Sequence, residues 1–290
     1  MADIAIVGAG AVGCAVGAAL TDAGHKVTFC VRHPFTSLGV EKRGAGGRIY
    51  PAHCVTEPGT QGRTDWVLLC VKSHQTSSAA PWLQGVPRVA VLQNGVEHRE
   101  AVRPYVPQDA SVVPVVVNLP VDRTAPGQAV WHTRAVLTVP DDPASHEFTG
   151  LFTGSFVEAR ATADWITAAW EKMCINAPGA ILALTGQTMG VFRKRGITGL
   201  ARAILAECVA VAEAEGAVLE PDLIDRQLSA FLAEADREPG NGNSIYADRM
   251  AGRAMEWNAR NGVIVRKAVK YGIATPASSA IVPLLSALDP

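Results

Sequence analysis

The chain has 290 residues, 26 Lys+Arg against 27 Asp+Glu, 48% hydrophobic residues and only 18% charged ones. That length suits one large or two ordinary domains and can bury a core without disulfides or a structural metal. A formal net charge of -1 excludes the basic footprint of a protein that neutralises many phosphates, so nucleic acid is not an expected partner. The six cysteines (Cys14, Cys30, Cys54, Cys70, Cys174, Cys208) form no CxxC pair and no zinc-like spacing with histidine. They read as small buried hydrophobes of a reducing compartment, and no metal is expected. The start of the chain lacks a basic segment followed by a long apolar one, and no apolar run reaches the ~20 residues of a membrane span. The expectation is a cytoplasmic protein with no membrane contact.

In chain order, residues 4–7 (IAIV) read as a strand, 12–23 as a helix closed by Gly24, and 26–31 as the next strand, the period of a βαβ unit. Residues 66–71 (WVLLCV) and 88–92 (RVAVL) are continuous apolar strands of the kind buried on both faces of a parallel sheet. Residues 111–117 and 129–138 add strands at the far edge, separated by a Pro126-Gly127 turn. From Asp164, a candidate N-cap, the pattern turns helical: 164–175, then 200–215 ending at Gly216. Another helix opens at Pro221-Asp222, and after a loop over 239–243 a long one runs from Ser244 toward Asn261-Gly262. The predicted fold is an α/β Rossmann-type N-terminal domain with a parallel sheet over 1–163, followed by an all-α domain over 164–290.

Gly8-Ala9-Gly10-Ala11-Val12-Gly13 follows a predicted strand and opens a predicted helix, the placement that a dinucleotide fingerprint requires. Gly8 permits the tight turn, Gly10 admits a pyrophosphate to the backbone, and Gly13 lets helix and strand close up. Without a ligand the same residues make a tight strand-to-helix turn. The second strand is followed by Arg32 and His33 where an NAD-preferring site carries a carboxylate. A guanidinium suits the 2′-phosphate of NADP(H), and the alternative is a solvated arginine. Lys72, with Gln75 just after it, and Asn94 follow two further strands, where open parallel sheets bind ligands; alone, Lys72 reads as a surface lysine. In the helical half, Lys172 and Asn176 share a helix face at i, i+4 among small apolar residues. Such a lysine can carry a lowered pKa and donate a proton near neutrality. Spacing alone favours an exposed lysine balanced by Glu171.

These pieces in order resemble the ketopantoate reductase (2-dehydropantoate 2-reductase) family: GAGAVG at 8–13, Arg32, Val71-Lys72 with Gln75, Gln93-Asn94-Gly95, and Pro126-Gly127 with His132. They continue with Trp170, Lys172 and Asn176, then Asn243-Ser244 with Asp248, Glu256 and Asn261-Gly262. The resemblance implies a nucleotide domain and a helical domain with a small 2-oxo-acid substrate in the cleft between them, NADP(H) as cofactor, and a homodimer. It implies Lys172 as proton donor, Glu256 as the acidic residue that holds the site's hydrogen bonds and touches the cofactor, and Asn176, Ser244 and Asp248 as substrate contacts. Gln75 falls to the cofactor, while Lys72 and Asn94 flank nicotinamide and substrate.

The chain departs from the family pattern where Ala180 and Met189 stand for asparagines, Met255 for a threonine, and Asn258 for an acidic residue. Losing groups that read a substrate hydroxyl relaxes or redirects preference. The leading expectation is an NADPH-dependent 2-oxo-acid reductase, with ketopantoate and pantothenate synthesis as defaults. The alternatives are a D-2-hydroxy-acid dehydrogenase acting on branched or aromatic 2-oxo acids, and a nucleotide-binding sensor without turnover.

Overall fold

The structure is a computed structural model that describes residues 1–290. It divides into two compact units, Met1–Trp165 and Ile166–Pro290. The first is built on a six-stranded sheet. Its strands are β1 (Asp3–Val7), β2 (Lys26–Cys30), β5 (His53–Val55), β6 (Trp66–Leu69), β7 (Arg88–Val91) and β8 (Ser111–Pro114), in the order β5-β2-β1-β6-β7-β8. Every pairing in it is parallel. Counted within the sheet, this is the 3-2-1-4-5-6 order of a dinucleotide-binding fold, with the reversal of direction between β1 and β6.

The apolar runs explain why the sheet sits at the centre. Along β1, Ile4 and Ile6 enter one core while Ala5 and Val7 enter the other, so both faces are buried. The helix α1 (Ala11–Asp22) covers one face through a wall of small residues, and Gly17 is needed there: a Cβ would lie 2.4 Å from the Phe29 ring. Over α1 folds a second sheet, ordered β10-β11-β3-β4, from β3 (Ser37–Lys42), β4 (Ala45–Pro51), β10 (Val121–Ala125) and β11 (Gln128–Trp131). Its Pro126-Gly127 turn has Gly127 at φ +71. A third sheet joins β9 (Val116–Asn118), β12 (Val136–Pro140) and β13 (Glu158–Thr162). Short helices α2 (Thr76–Ala79) and α3 (His98–Val102), and α4 (Pro143–Gly150), complete the unit.

Two predicted strands are corrected. Residues 111–117 divide after Pro114, which has no N–H to continue a ladder, and the chain leaves the parallel sheet for the third one. Residues 129–138 divide between β11 and β12, which again belong to different sheets. The hairpin β3–β4 carried no signal because almost all of β4 is exposed, so it lacks the alternation of a half-buried strand.

The second unit is helical. It holds α5 (Trp165–Asn176), which begins at the boundary, then α6 (Ala180–Thr185), α7 (Arg195–Ala214), α8 (Leu223–Arg237), α9 (Ser244–Met250), α10 (Val263–Tyr271) and α11 (Pro276–Ala287). α7 forms the spine: Ala201, Ile204, Leu205, Cys208, Val211 and Ala212 are buried at helical spacing, and α8, α10 and α11 pack around it. The long helix predicted from Ser244 is interrupted. α9 ends in a turn where the Gly252 N–H donates to the Arg249 carbonyl and the Arg253 N–H to that of Asp248, with Gly252 at φ +63. The chain re-enters helix only through a π turn over Asn258–Gly262.

Candidate functional site

Because the central sheet is parallel, the segments leaving β1, β2, β6 and β7 emerge on one edge. They carry Gly8–Gly13, Arg32, Lys72 with Gln75, and Asn94, so one sheet edge gathers the first unit's residues singled out by sequence for the cofactor, whereas Glu256, also expected to touch it, lies in the second unit. The three glycines divide the work as their spacing suggests. Gly8 has φ +100, and a Cβ on it would meet the Val71 nitrogen at 2.9 Å. A Cβ on Gly13 would lie 2.0 Å from the Gly8 carbonyl oxygen, so helix and turn are in direct contact there. Gly10 has nothing within 4 Å of the same position. The first two are filled by protein, while the third leaves room in front of a helix start with no side-chain cap and no acidic residue in its first turn. An open backbone cradle at an uncapped helix N-terminus fits a pyrophosphate.

Arg32 stands exposed two residues past β2, followed by His33 and Pro34 rather than a carboxylate. Lys72 is half-buried at the start of a 3-10 turn, and its N–H donates to Gln75 Oε1 at 3.3 Å, so the Gln75 side chain closes that turn. Behind them Gln93 is buried; its amide donates to the Val71 carbonyl at 3.0 Å and bonds the Thr76 hydroxyl. The His98 Nε2 lies 2.8 Å from the Gln93 carbonyl. Gln93 therefore ties the loop after β6 to the end of β7 and sets where Lys72 and Asn94 stand. Sequence reading used Gln93 only as part of a motif.

In the second unit the organising feature is the turn after α5. A helix leaves its last carbonyls unsatisfied, and here three side chains from distant sequence take them up. Arg260 Nη2 donates to the Asn176 carbonyl at 2.9 Å, Asn261 Nδ2 to that of Ala177 at 2.9 Å, and Asn243 Nδ2 to that of Gly179 at 3.1 Å. A Cβ on Gly179 would sit 2.2 Å from Asn243 Nδ2, so the clip needs glycine. Asn243 also caps α9, accepting from the Tyr246 N–H at 3.0 Å, and Arg260 Nη1 reaches the exposed Ser244 hydroxyl at 3.1 Å. The result brings Asn176, Ser244 and Arg260 together, one helical turn along α5 from Lys172.

Lys172 is half-buried, and loss of water around it, aided by the positive charge of Arg260, lowers its pKa from 10.5 to about 8. Arg260 is itself lowered to about 10 by burial, against the pull of the Glu256 and Asp248 carboxylates. Glu256 and Asp248 are both buried, and Asp248 Oδ1 accepts from Arg253 Nε at 3.1 Å. The five helical-half residues singled out by sequence thus surround one arginine that sequence reading passed over. Its signal was present as the i, i+4 spacing of Glu256 and Arg260 in a segment otherwise apolar or amide. The departures from the family pattern, Ala180, Met189 and Met255, are all buried. No group of three or more His, Cys, Asp or Glu side chains is placed to hold a metal ion, and no helix is long and apolar enough to cross a membrane.

The sequence matches the family described as Ketopantoate reductase PanE/ApbA over residues 4–143, and its C-terminal counterpart over residues 164–289. It is 41% identical to a 2-dehydropantoate 2-reductase of Caulobacter vibrioides, with 99% of each chain covered. Against a 2-dehydropantoate 2-reductase of Mycobacterium tuberculosis it is 40% identical, covering 98% of this chain and 97% of the other. Among solved structures, a PanE/ApbA family ketopantoate reductase from Ralstonia eutropha superposes with a TM-score of 0.87 at 29% identity, covering 98% and 97%. A D-mandelate dehydrogenase superposes at 0.83 with 21% identity over 98% and 97%, a likeness of fold alone.

Proposed function

This chain belongs to the ketopantoate reductase family as an NAD(P)(H)-dependent oxidoreductase with a Rossmann nucleotide domain, and from that premise we propose that it uses NADPH to reduce 2-dehydropantoate to (R)-pantoate. The observation that carries the chemistry is Lys172, a lysine whose proton is held loosely enough to be given up near neutral pH. The Gly8–Gly13 loop holds the pyrophosphate, Arg32 meets the 2′-phosphate with charge-assisted hydrogen bonds, Gln75 contacts the cofactor, and Lys72 and Asn94 flank the nicotinamide end. When bound, NADPH supplies the hydride that turns the keto carbon into an alcohol carbon.

Reduction places negative charge on the keto oxygen, and the Lys172 ammonium neutralises it by donating a proton to that oxygen. Stabilisation that grows as the charge forms accelerates the step. Asn176 and Ser244 orient the 2-oxo acid, Asp248 completes the substrate side, and Glu256 anchors the hydrogen bonds around cofactor and substrate. A homodimer belongs to the same reading.

A second reading is favoured by Ala180 and Met189, buried and apolar where the family pattern has amides: the preferred 2-oxo acid is branched or aromatic rather than hydroxylated. One panel separates the two. NADPH oxidation with 2-dehydropantoate far faster than with 2-oxoisovalerate or phenylpyruvate is expected, and the reverse order overturns the 2-dehydropantoate assignment. Binding of NADPH with no oxidation across the panel overturns the reductase reading altogether.

A further inference from the structure

Arg260 is 2% exposed, an expensive place for a guanidinium. Its fork reaches two acceptors, the Asn176 carbonyl and the Ser244 hydroxyl, while its Nε is buried with no partner. The carbonyls of Ala177 and Gly179 are satisfied by the neutral amides of Asn261 and Asn243 at similar distances. A neutral amide is thus sufficient to clip this turn, yet the carbonyl one turn beyond Lys172 receives a charged group. A purely structural clip would not require the charge, nor the two carboxylates, Glu256 and Asp248, that offset it.

We propose that Arg260 is a positioning residue for the Lys172 site: one rigid fork fixes both the Asn176 end of α5 and the Ser244 hydroxyl, and its permanent charge stands beside the lysine that gives up the proton. The proposal rests on the reductase reading. Planar, bidentate and charged at every working pH, a guanidinium serves both purposes where a lysine or an amide serves only one. The charged groups around the pair are few. The π turn supplies Arg260, Glu256 lies just before it, α9 supplies Asp248 already engaged by Arg253, and α5 itself carries Glu171. From α7 the buried carboxylate is Glu207, whose oxygens accept the Ala277 and Ser278 N–H groups at 2.7 Å each. Arg260 is therefore the positive charge that acts on Lys172, after burial itself.

The test uses the full chain with 13C-labelled lysine, reading the Lys172 titration by NMR, together with the affinity for NADPH read from its own fluorescence and the affinity for a 2-oxo acid in its unreactive complex with NADP+ read from tryptophan fluorescence. Arg260→Gln keeps a donor for the Asn176 carbonyl and removes the charge. The Lys172 midpoint is expected to climb from about 8 toward 10.5, by about one unit, and 2-oxo-acid affinity to fall about tenfold with NADPH affinity unchanged. Arg260→Lys keeps the charge balance with Glu256 and Asp248 and loses the fork. It should hold the midpoint near the wild-type value while 2-oxo-acid affinity still falls, and it decides the matter if the glutamine variant does not fold. Wild-type midpoint and affinity in the variants would reduce Arg260 to a clip and overturn the proposal. Failure of the reductase reading looks different: wild-type protein that oxidises no NADPH with any 2-oxo acid, while the Lys172 titration still responds to Arg260→Gln.

Discussion

Lys172 draws its chemistry from position rather than type: a lysine in water holds its proton until pH 10.5, and burial beside Arg260 brings that to about 8. The sign of the pH dependence follows. Only the ammonium can donate, so reduction is expected at full rate below about pH 8 and to decline as pH rises through it. A kcat profile flat through pH 9 would remove Lys172 from the proton-transfer step. Lys172→Ala is expected to lower kcat by roughly 10²–10⁴-fold with NADPH affinity nearly intact. Arg32 makes a separate prediction on the cofactor side. Arg32→Asp should weaken NADPH far more than NADH, because the carboxylate repels a 2′-phosphate and accepts from a 2′-hydroxyl. An unchanged affinity ratio, measured by fluorescence titration of both nucleotides, would detach Arg32 from the phosphate.

At the scale of elements, the strand–loop–helix opening of the chain was legible almost residue by residue, because glycine at 8, 10 and 13 has few other uses between an apolar strand and a helix. The structure separates their roles, and the separation is testable. Gly13→Ala drives a Cβ to within 2.0 Å of backbone and should cost roughly 1–3 kcal/mol in thermal unfolding. Gly10→Ala meets nothing within 4 Å, so the melting temperature should hold while nucleotide affinity drops. Equal NADPH affinity in the Gly10 variant would place the pyrophosphate elsewhere. The segment from Ser244 to Gly262 was the least legible element. Its composition is helical throughout, and only the left-handed Gly252 and the π turn reveal that it is two helices with a corner between them. A π turn shifts side chains off helical spacing, and here that corner carries Arg260 and Asn261.

At the scale of the whole molecule, each unit has its own source of stability. The first buries a parallel sheet on both faces, while the second closes its helices around α7 and locks them with polar clusters. One such cluster gathers Lys267, Lys270 and Tyr271 on the Glu215 carboxylate, at 2.5, 3.1 and 2.6 Å. Burial alone would raise Glu215, but the hydrogen bonds from these three outweigh it and hold the pKa at about 2 against the usual 4.5. A carboxylate depressed in the folded state contributes stability that is complete above pH 4.5 and is lost as pH falls toward 2. Two of the donors are exposed, so Glu215→Gln is expected to cost only roughly 1 kcal/mol at neutral pH. The mutant's deficit should shrink in melts at about pH 3. A deficit that persists unchanged in acid would assign Glu215 a packing role instead.

The sequence by itself determined the parallel sheet, the glycine cradle, the change to helices near residue 164 and the family resemblance. Each of these depends on local pattern, where hydrophobic period and glycine spacing speak directly. Which of the scattered polar residues in the helical half work together was decided only by tertiary structure. The carbonyls at the end of α5 and in the turn after it are satisfied by side chains 64 to 84 residues away, and no local pattern encodes a partner at that distance. The same holds for Lys172: spacing alone made it a solvated lysine, and burial in the tertiary fold, aided by the long-range approach of a buried arginine, is what loosens its proton.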